Sequence, residues 1–184
     1  MEQNVTERMR QVKRRFFAMR NGITADHLRR SGMGYRIIFG LNLPQIAEIA
    51  ADFSPDDELA DALWANSTTR ESRLMAPMLY DHADIIIDKA LAMASQTAEI
   101  EEADVLCHRL LRHLPFAHSL PSMLLADNTG RALTRYAGLR LITFLAATGD
   151  KAAYLHLARA EASSGNPATS RLAAMIADDL SLAL

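Results

Sequence analysis

Apolar residues recur at three- and four-residue intervals along most of the chain, and they predict one amphipathic helix after another. The pattern is clearest from 54 to 80, SPDDELADALWANSTTRESRLMAPMLY. Ser54 is placed to accept from the free amides of a helix start, and Pro55 suits the first helical position. Asp56, Asp57 and Glu58 would then sit at the positive end of the helix dipole. Leu59, Ala60, Leu63 and Trp64 make one stripe, and Asn66 can end it. Thr68 and Glu71 have capping-box spacing, and Leu74, Met75, Met78 and Leu79 make a second stripe. Two amphipathic helices joined by a tight turn are the unit of a helical repeat array.

The same period predicts a basic helix over 4–20, with Val12, Phe16 and Met19 on its apolar side. A short helix follows Asn21-Gly22, with Thr24 as its cap and Gly32 as its stop. GYRIIFG, 34–40, has no helical period and is expected to tuck its apolar residues under neighbouring helices. Further helices are predicted over 43–53, 81–94, 98–114, 116–125, 131–148, 151–162 and 169–182, with a turn at Asp127-Asn128-Thr129-Gly130. Ile100, Val105, Leu106, Leu110 and Leu114 are the expected inward positions of the helix over 98–114. Met75, Met78, Met93, Met123 and Met175 fall on apolar stripes and are expected to be core.

Composition supports this reading. Leu, Ala, Met and Ile supply an apolar content of 49% with only 6% aromatic residues, and eight glycines and six prolines leave few turns. The predicted fold is all-α, an α-α superhelix of HEAT-like helical repeats in a single domain, 1–184. A compact helical bundle is the alternative. The one cysteine, Cys107, rules out an internal disulfide. No stretch has the apolar run of a signal peptide or a membrane span, so a soluble cytoplasmic protein without membrane partners is expected.

Charge is unevenly spread. Residues 1–40 carry nine Lys/Arg against three Asp/Glu, residues 41–105 three against fourteen, and residues 106–184 eight against five. A basic stripe on one face and a merely solvated surface both fit this split. The chain has no phosphate loop, dinucleotide fingerprint, serine-nucleophile elbow or HExxH. His108, His113 and His118 lie near Cys107, but five-residue steps spread them around a helix and Pro115 intervenes. Neither a metal nor a cofactor is expected.

From 21 to 80 the segments NGITADHLRR, YRIIFGLNLPQIAEIA, ELADALW and RESRLMAPMLY follow in order. In this order and spacing the chain resembles the bacterial DNA alkylation repair enzymes built from HEAT-like repeats, where a helix ending in Leu-Trp precedes a Glu-x-Arg helix. Leu63-Trp64 and Glu71-Ser72-Arg73 match that pattern. The resemblance implies a concave basic surface for duplex DNA and, in active members, removal of alkylated bases through a Trp-Asp-x-x-Asp motif. A carboxylate suits that chemistry because breaking a glycosidic bond develops positive charge on the sugar. The motif falls on 103–107. Asp104 matches the first aspartate, Ala103 stands where the tryptophan would be, and Cys107 stands in place of the catalytic carboxylate. A later Trp-x-x-Arg pattern matches at Arg135, with Ala132 in place of the aromatic. The resemblance thus implies the scaffold without the matched catalytic residues, and leaves Asp104 as the single carboxylate candidate.

The expected DNA contacts are phosphate contacts from Arg73, Arg109, Arg112, Arg131 and Arg135, with contributions from Arg14 and Arg15. Arg109 and Arg112, and Arg131 and Arg135, have spacings that put each pair on one helix face. A HEAT-repeat scaffold that binds a basic protein through the acidic stretch 48–104, without nucleic acid, is the alternative from a different class.

Overall fold

The computed structural model describes residues 4–127, 129 and 131–182. Among these the chain forms eleven α-helices: α1 (Val5–Ala18), α2 (Gly22–Arg30), α3 (Leu43–Ala51), α4 (Asp57–Ala65), α5 (Arg70–Met75), α6 (Ile87–Ser95), α7 (Ile100–Arg109), α8 (Leu120–Leu125), α9 (Ala132–Leu145), α10 (Lys151–Ala162) and α11 (Ser170–Leu182). Short 3₁₀ turns cover Ala76–Met78, Leu111–His113 and Ala117–Ser119. The protein is all-α. Of the predicted turn at 127–130, Asn128 and Gly130 lie outside the described residues. No helix among the described residues is long and apolar enough to cross a membrane. The chain packs as two compact units, Met1–Asp84 and Ile85–Leu184.

The starts of α1 to α4 are set by Asn4, Asn21, Asn42 and Asp56, whose short side chains reach the free amides of the first turn. Asn21 accepts from the amide of Thr24 at 3.1 Å, so Asn21 and not Thr24 caps α2. Asn42 and Gln45 form a reciprocal capping box at 3.0 and 2.9 Å. Asp56 accepts from Leu59 N at 3.0 Å, so α4 starts two residues beyond the predicted Ser54–Pro55. The helix predicted from Asp81 begins only at Ile87, because Asp81 folds into a local turn, accepting from Ala83 N at 2.9 Å.

Thr68 and Glu71 do not form a capping box. Glu71 is fully buried, and its carboxylate accepts from the amides of Phe39 (3.0 Å), Gly40 (2.9 Å) and Leu41 (3.4 Å). The connector between α2 and α3 has no helical ladder of its own, so without this carboxylate those donors would be buried and unpaired. Arg70, also buried, pairs with Glu71 at 3.0 Å and donates to Leu41 O at 2.9 Å. A parallel bridge between Ile37 and Thr69 fixes the same connector from its other end. Gly40 has φ +80°, and a Cβ built there would lie 2.2 Å from Asn21 O, so only glycine allows the approach. Tyr35 and Ile38 are buried, as the apolar character of the connector predicts.

α1 packs on α3 and α4 and buries Val12 and Phe16 completely. Two of its arginines point the same way: Arg8 pairs with Asp56 at 3.1 Å and with Glu58, and Arg15 pairs with Asp52 at 2.7 Å. In the second unit α9 is central, meeting α6, α7, α8 and α11, while α10 packs on α8 and α11. Gly138 lets α8 close on α9, since a Cβ there would already stand 3.0 Å from Leu125 Cγ. The expected stripes are largely core, with three exceptions at helix ends or outer faces: Ile100, Met123 and Met175 are exposed.

Glu71→Ala should strand three buried amides and the Arg70 guanidinium, lowering unfolding stability by about 3–5 kcal/mol. Urea unfolding followed by circular dichroism measures this, and a loss below about 1 kcal/mol would show that the connector finds other acceptors.

Candidate functional site

The α7–α9 pair gathers the chemistry of the second unit. On α9, Tyr136, Arg140 and Phe144 follow at four-residue steps and so share one stripe. On α7, Asp104 and His108 do the same. The two stripes meet. Asp104 Oδ1 accepts from Tyr136 Oη at 2.9 Å and from Arg140 Nε at 2.6 Å. Asp104 Oδ2 has no hydrogen-bond partner among the described residues, and the side chain keeps 36% of its surface exposed. One carboxylate oxygen is therefore fixed while the other faces outward.

Around Phe144 the site is cationic. The guanidinium carbons of Arg140 and Arg112 lie 4.9 and 5.6 Å from its ring centroid, and the His108 ring meets its edge at 5.4 Å. Burial holds the His108 pKa below its ordinary value, and the positive charges of Arg112, Arg109 and His113 add to that. Tyr136 moves the opposite way. Burial pushes its phenol up to about 12, helped by the hydrogen bond to Asp104 and the carboxylate's charge. Cys107, one helical step from Asp104, is fully buried, and its thiol contacts Ala137 O at 3.5 Å. Burial, then Asp104, push its pKa well up. A neutral thiol in the core cannot supply the fixed negative charge of a carboxylate, so Cys107 is packing.

The expected phosphate contacts separate by their partners. Arg73 is buried: its guanidinium sits 3.5 Å from the Trp64 ring centroid and donates to Trp64 O at 2.5 Å, away from any phosphate. Arg15 is paired with Asp52, as described. Arg135 is held by Glu161, with Nε donating to Oε1 at 3.1 Å and Nη2 to Oε2, and it also donates to Asp127 O at 3.0 Å. Glu161 is itself buried and takes the Thr169 hydroxyl as well. Arg131 is exposed at the start of α9 and donates to Ser95 O. Arg109 is exposed, Arg112 is half-buried and donates to His113, and neither has a carboxylate partner among the described residues. Their shared helix face does not exist as predicted: α7 ends at Arg109, and Arg112 lies on the following 3₁₀ turn. Arg14 is exposed on α1. No group of three or more His, Cys, Asp or Glu that could hold a metal ion occurs among the described residues.

A family model described as DNA alkylation repair enzyme matches residues 12–167, most of the chain. The chain belongs to the DNA alkylation repair enzyme family. No match was found among curated proteins or among solved structures. The Leu-Trp and Glu-x-Arg residues that carried the resemblance to this family have structural work in this member. Trp64 is the platform for Arg73, and Glu71 holds the connector between α2 and α3. Asp104 stays at a half-exposed site, where Tyr136 and Phe144 supply aromatic surface that the tryptophan positions lack. The signal in the sequence for these two is the four-residue spacing of Tyr136, Arg140 and Phe144, which sets them on one stripe of α9.

Asp104→Asn removes the charge beside Tyr136 but leaves its burial, so the phenol should titrate below about 12 yet above 10. NMR titration of labelled tyrosine measures this, and an unchanged titration would disconnect the two side chains. Arg135→Met should leave Glu161 buried without its cation and cost about 3 kcal/mol of stability. Breaking the pair should also flatten the acid limb of stability. Burial raises the Glu161 pKa, but hydrogen bonds from Arg135 and Thr169 and the Arg135 charge outweigh it and the net shift is downward. The pair's stabilisation is thus complete above the ordinary carboxylate pKa and lost as pH falls through the lowered one. Urea melts of the parent and Arg135→Met proteins across acid pH test the direction.

Proposed function

We propose that this family member binds duplex DNA through its phosphates, with Arg109, Arg112 and Arg131 as contacts of the second unit. The observation that carries the reading is the α7–α9 site itself. Arg109, on α7 with half-exposed Asp104, and Arg112, on the turn that follows and 5.6 Å from the Phe144 ring centroid, have no carboxylate partner among the described residues. An unpaired cation loses little on meeting a phosphate, whereas Arg135 and Arg15 would first have to give up Glu161 and Asp52. The helix pairs are proposed to stack as an α-α superhelix of HEAT-like repeats, with the duplex on its concave face.

A second reading keeps base excision. The outward Oδ2 of Asp104 supports it, because a carboxylate oriented by Tyr136 and Arg140 can face the positive charge that develops as a glycosidic bond breaks. In that reading Asp104, not position 107, stabilises the transition state.

The test is binding of a short duplex, with and without an alkylated base, across a salt series. Arg109→Glu/Arg112→Glu should weaken binding on all sequences and lower the slope of log affinity against log salt by about two. Parental binding by this double variant would remove the assignment. Absence of binding by the parent at low salt would favour a scaffold for a basic protein. On the alkylated duplex, base release that Asp104→Asn abolishes without loss of binding would establish the second reading, and release at the parental rate would end it.

A further inference from the structure

The arginines and lysine of α1 divide by direction. Arg8 and Arg15 turn inward to carboxylates at Asp56, Glu58 and Asp52. Arg10, Lys13 and Arg14 turn outward and, with Phe17 and Phe39, line an open groove of about 420 Å³. Positions 10, 13, 14 and 17 are steps of three, four and seven on one helix, so they form a single face. Lys13 and Arg14 have no ion-pair partner among the described residues, and Arg10 has only an exposed pair with Glu7 at 3.3 Å. Such a pair is easily exchanged for a phosphate. Phe17 is 57% exposed, and the Arg20 guanidinium stacks 3.9 Å from its ring centroid. Phe39 lines the same groove, its ring centroid 5.8 Å from that of buried Phe16.

On this face the exposed Phe17 stands among three cations and lines the same groove as they do. A helix that inserts in a membrane would present its apolar stripe, but here Val12 and Phe16 are buried in the unit and Phe17 is left alone. Cations at successive turns beside aromatic rings match the alternation of phosphate and base in a single strand, where stacking is sequence-tolerant. A duplex keeps its bases stacked inside and offers no such ring.

We propose that the α1 groove of this DNA-repair family member holds an unpaired DNA strand, with Arg10, Lys13 and Arg14 on phosphates and Phe17 and Phe39 against a base. The site is separate from the α7–α9 site and its use does not depend on that one.

The test is fluorescence anisotropy of the full chain with a labelled oligothymidine of about 15 nucleotides, compared with an abasic strand of equal charge. Lys13→Glu/Arg14→Glu should weaken binding about tenfold or more. Phe17→Ala, or Phe17→Leu if the first does not fold, should weaken it about fivefold and abolish the preference over the abasic strand. Arg171→Glu, an exposed change on α11, should leave it within about twofold. Circular dichroism melts confirm that the variants fold. The proposal falls if Phe17 variants bind as the parent does, or if Arg171→Glu costs as much as the α1 double variant. It also falls if oligouridine binds about tenfold more tightly than oligothymidine, or if the parent binds phosphatidylserine vesicles and not the strand.

Discussion

Three consecutive amides, those of Phe39, Gly40 and Leu41, converge on the carboxylate of Glu71. Gly40 and Leu41 are buried at the inner end of the connector between α2 and α3 and Phe39 is partly buried, so water cannot readily satisfy these amides. Glu71 lets an irregular segment be buried at all, and Arg70 balances its charge. The close approach of Gly40 to Asn21 ties the same segment to the start of α2. In this chain the Leu-Trp and Glu-x-Arg residues therefore build the scaffold of the first unit.

The second unit uses the same device in another place. Glu161, buried on α10, gathers Arg135 of α9 and Thr169 ahead of α11. This joins three helices through one carboxylate. With Arg135 fixed there, the surface chemistry of α9 is left to Tyr136, Arg140 and Phe144, which face α7. The carboxylate of Asp104 is thus oriented by Tyr136 and Arg140 of α9.

The helices were largely legible from the chain because apolar periodicity is a local property, and α10 begins and ends where the pattern predicts. Starts were displaced where several capping residues stand close together. Asn21 competes with Thr24, and Asp56 with Ser54, and the backbone's entry angle chooses between them. The Thr68–Glu71 box failed for a different reason. A local motif lost to a buried acceptor demand some thirty residues away in sequence.

Sequence alone determined the all-α character, the helix count and the family, since these rest on periodicity and on the order of neighbouring motifs. It also placed Asp104 as the carboxylate candidate. Tertiary structure decided what each arginine is for. Arg15 meets Asp52, Arg73 lies on Trp64, and Arg135 meets Glu161, while Arg109, Arg14 and Lys13 meet no carboxylate among the described residues. The chain records where a charge is, but an ion pair depends on distance in space. Ion-pair partners in this chain lie up to 50 positions apart, and only folding brings them together.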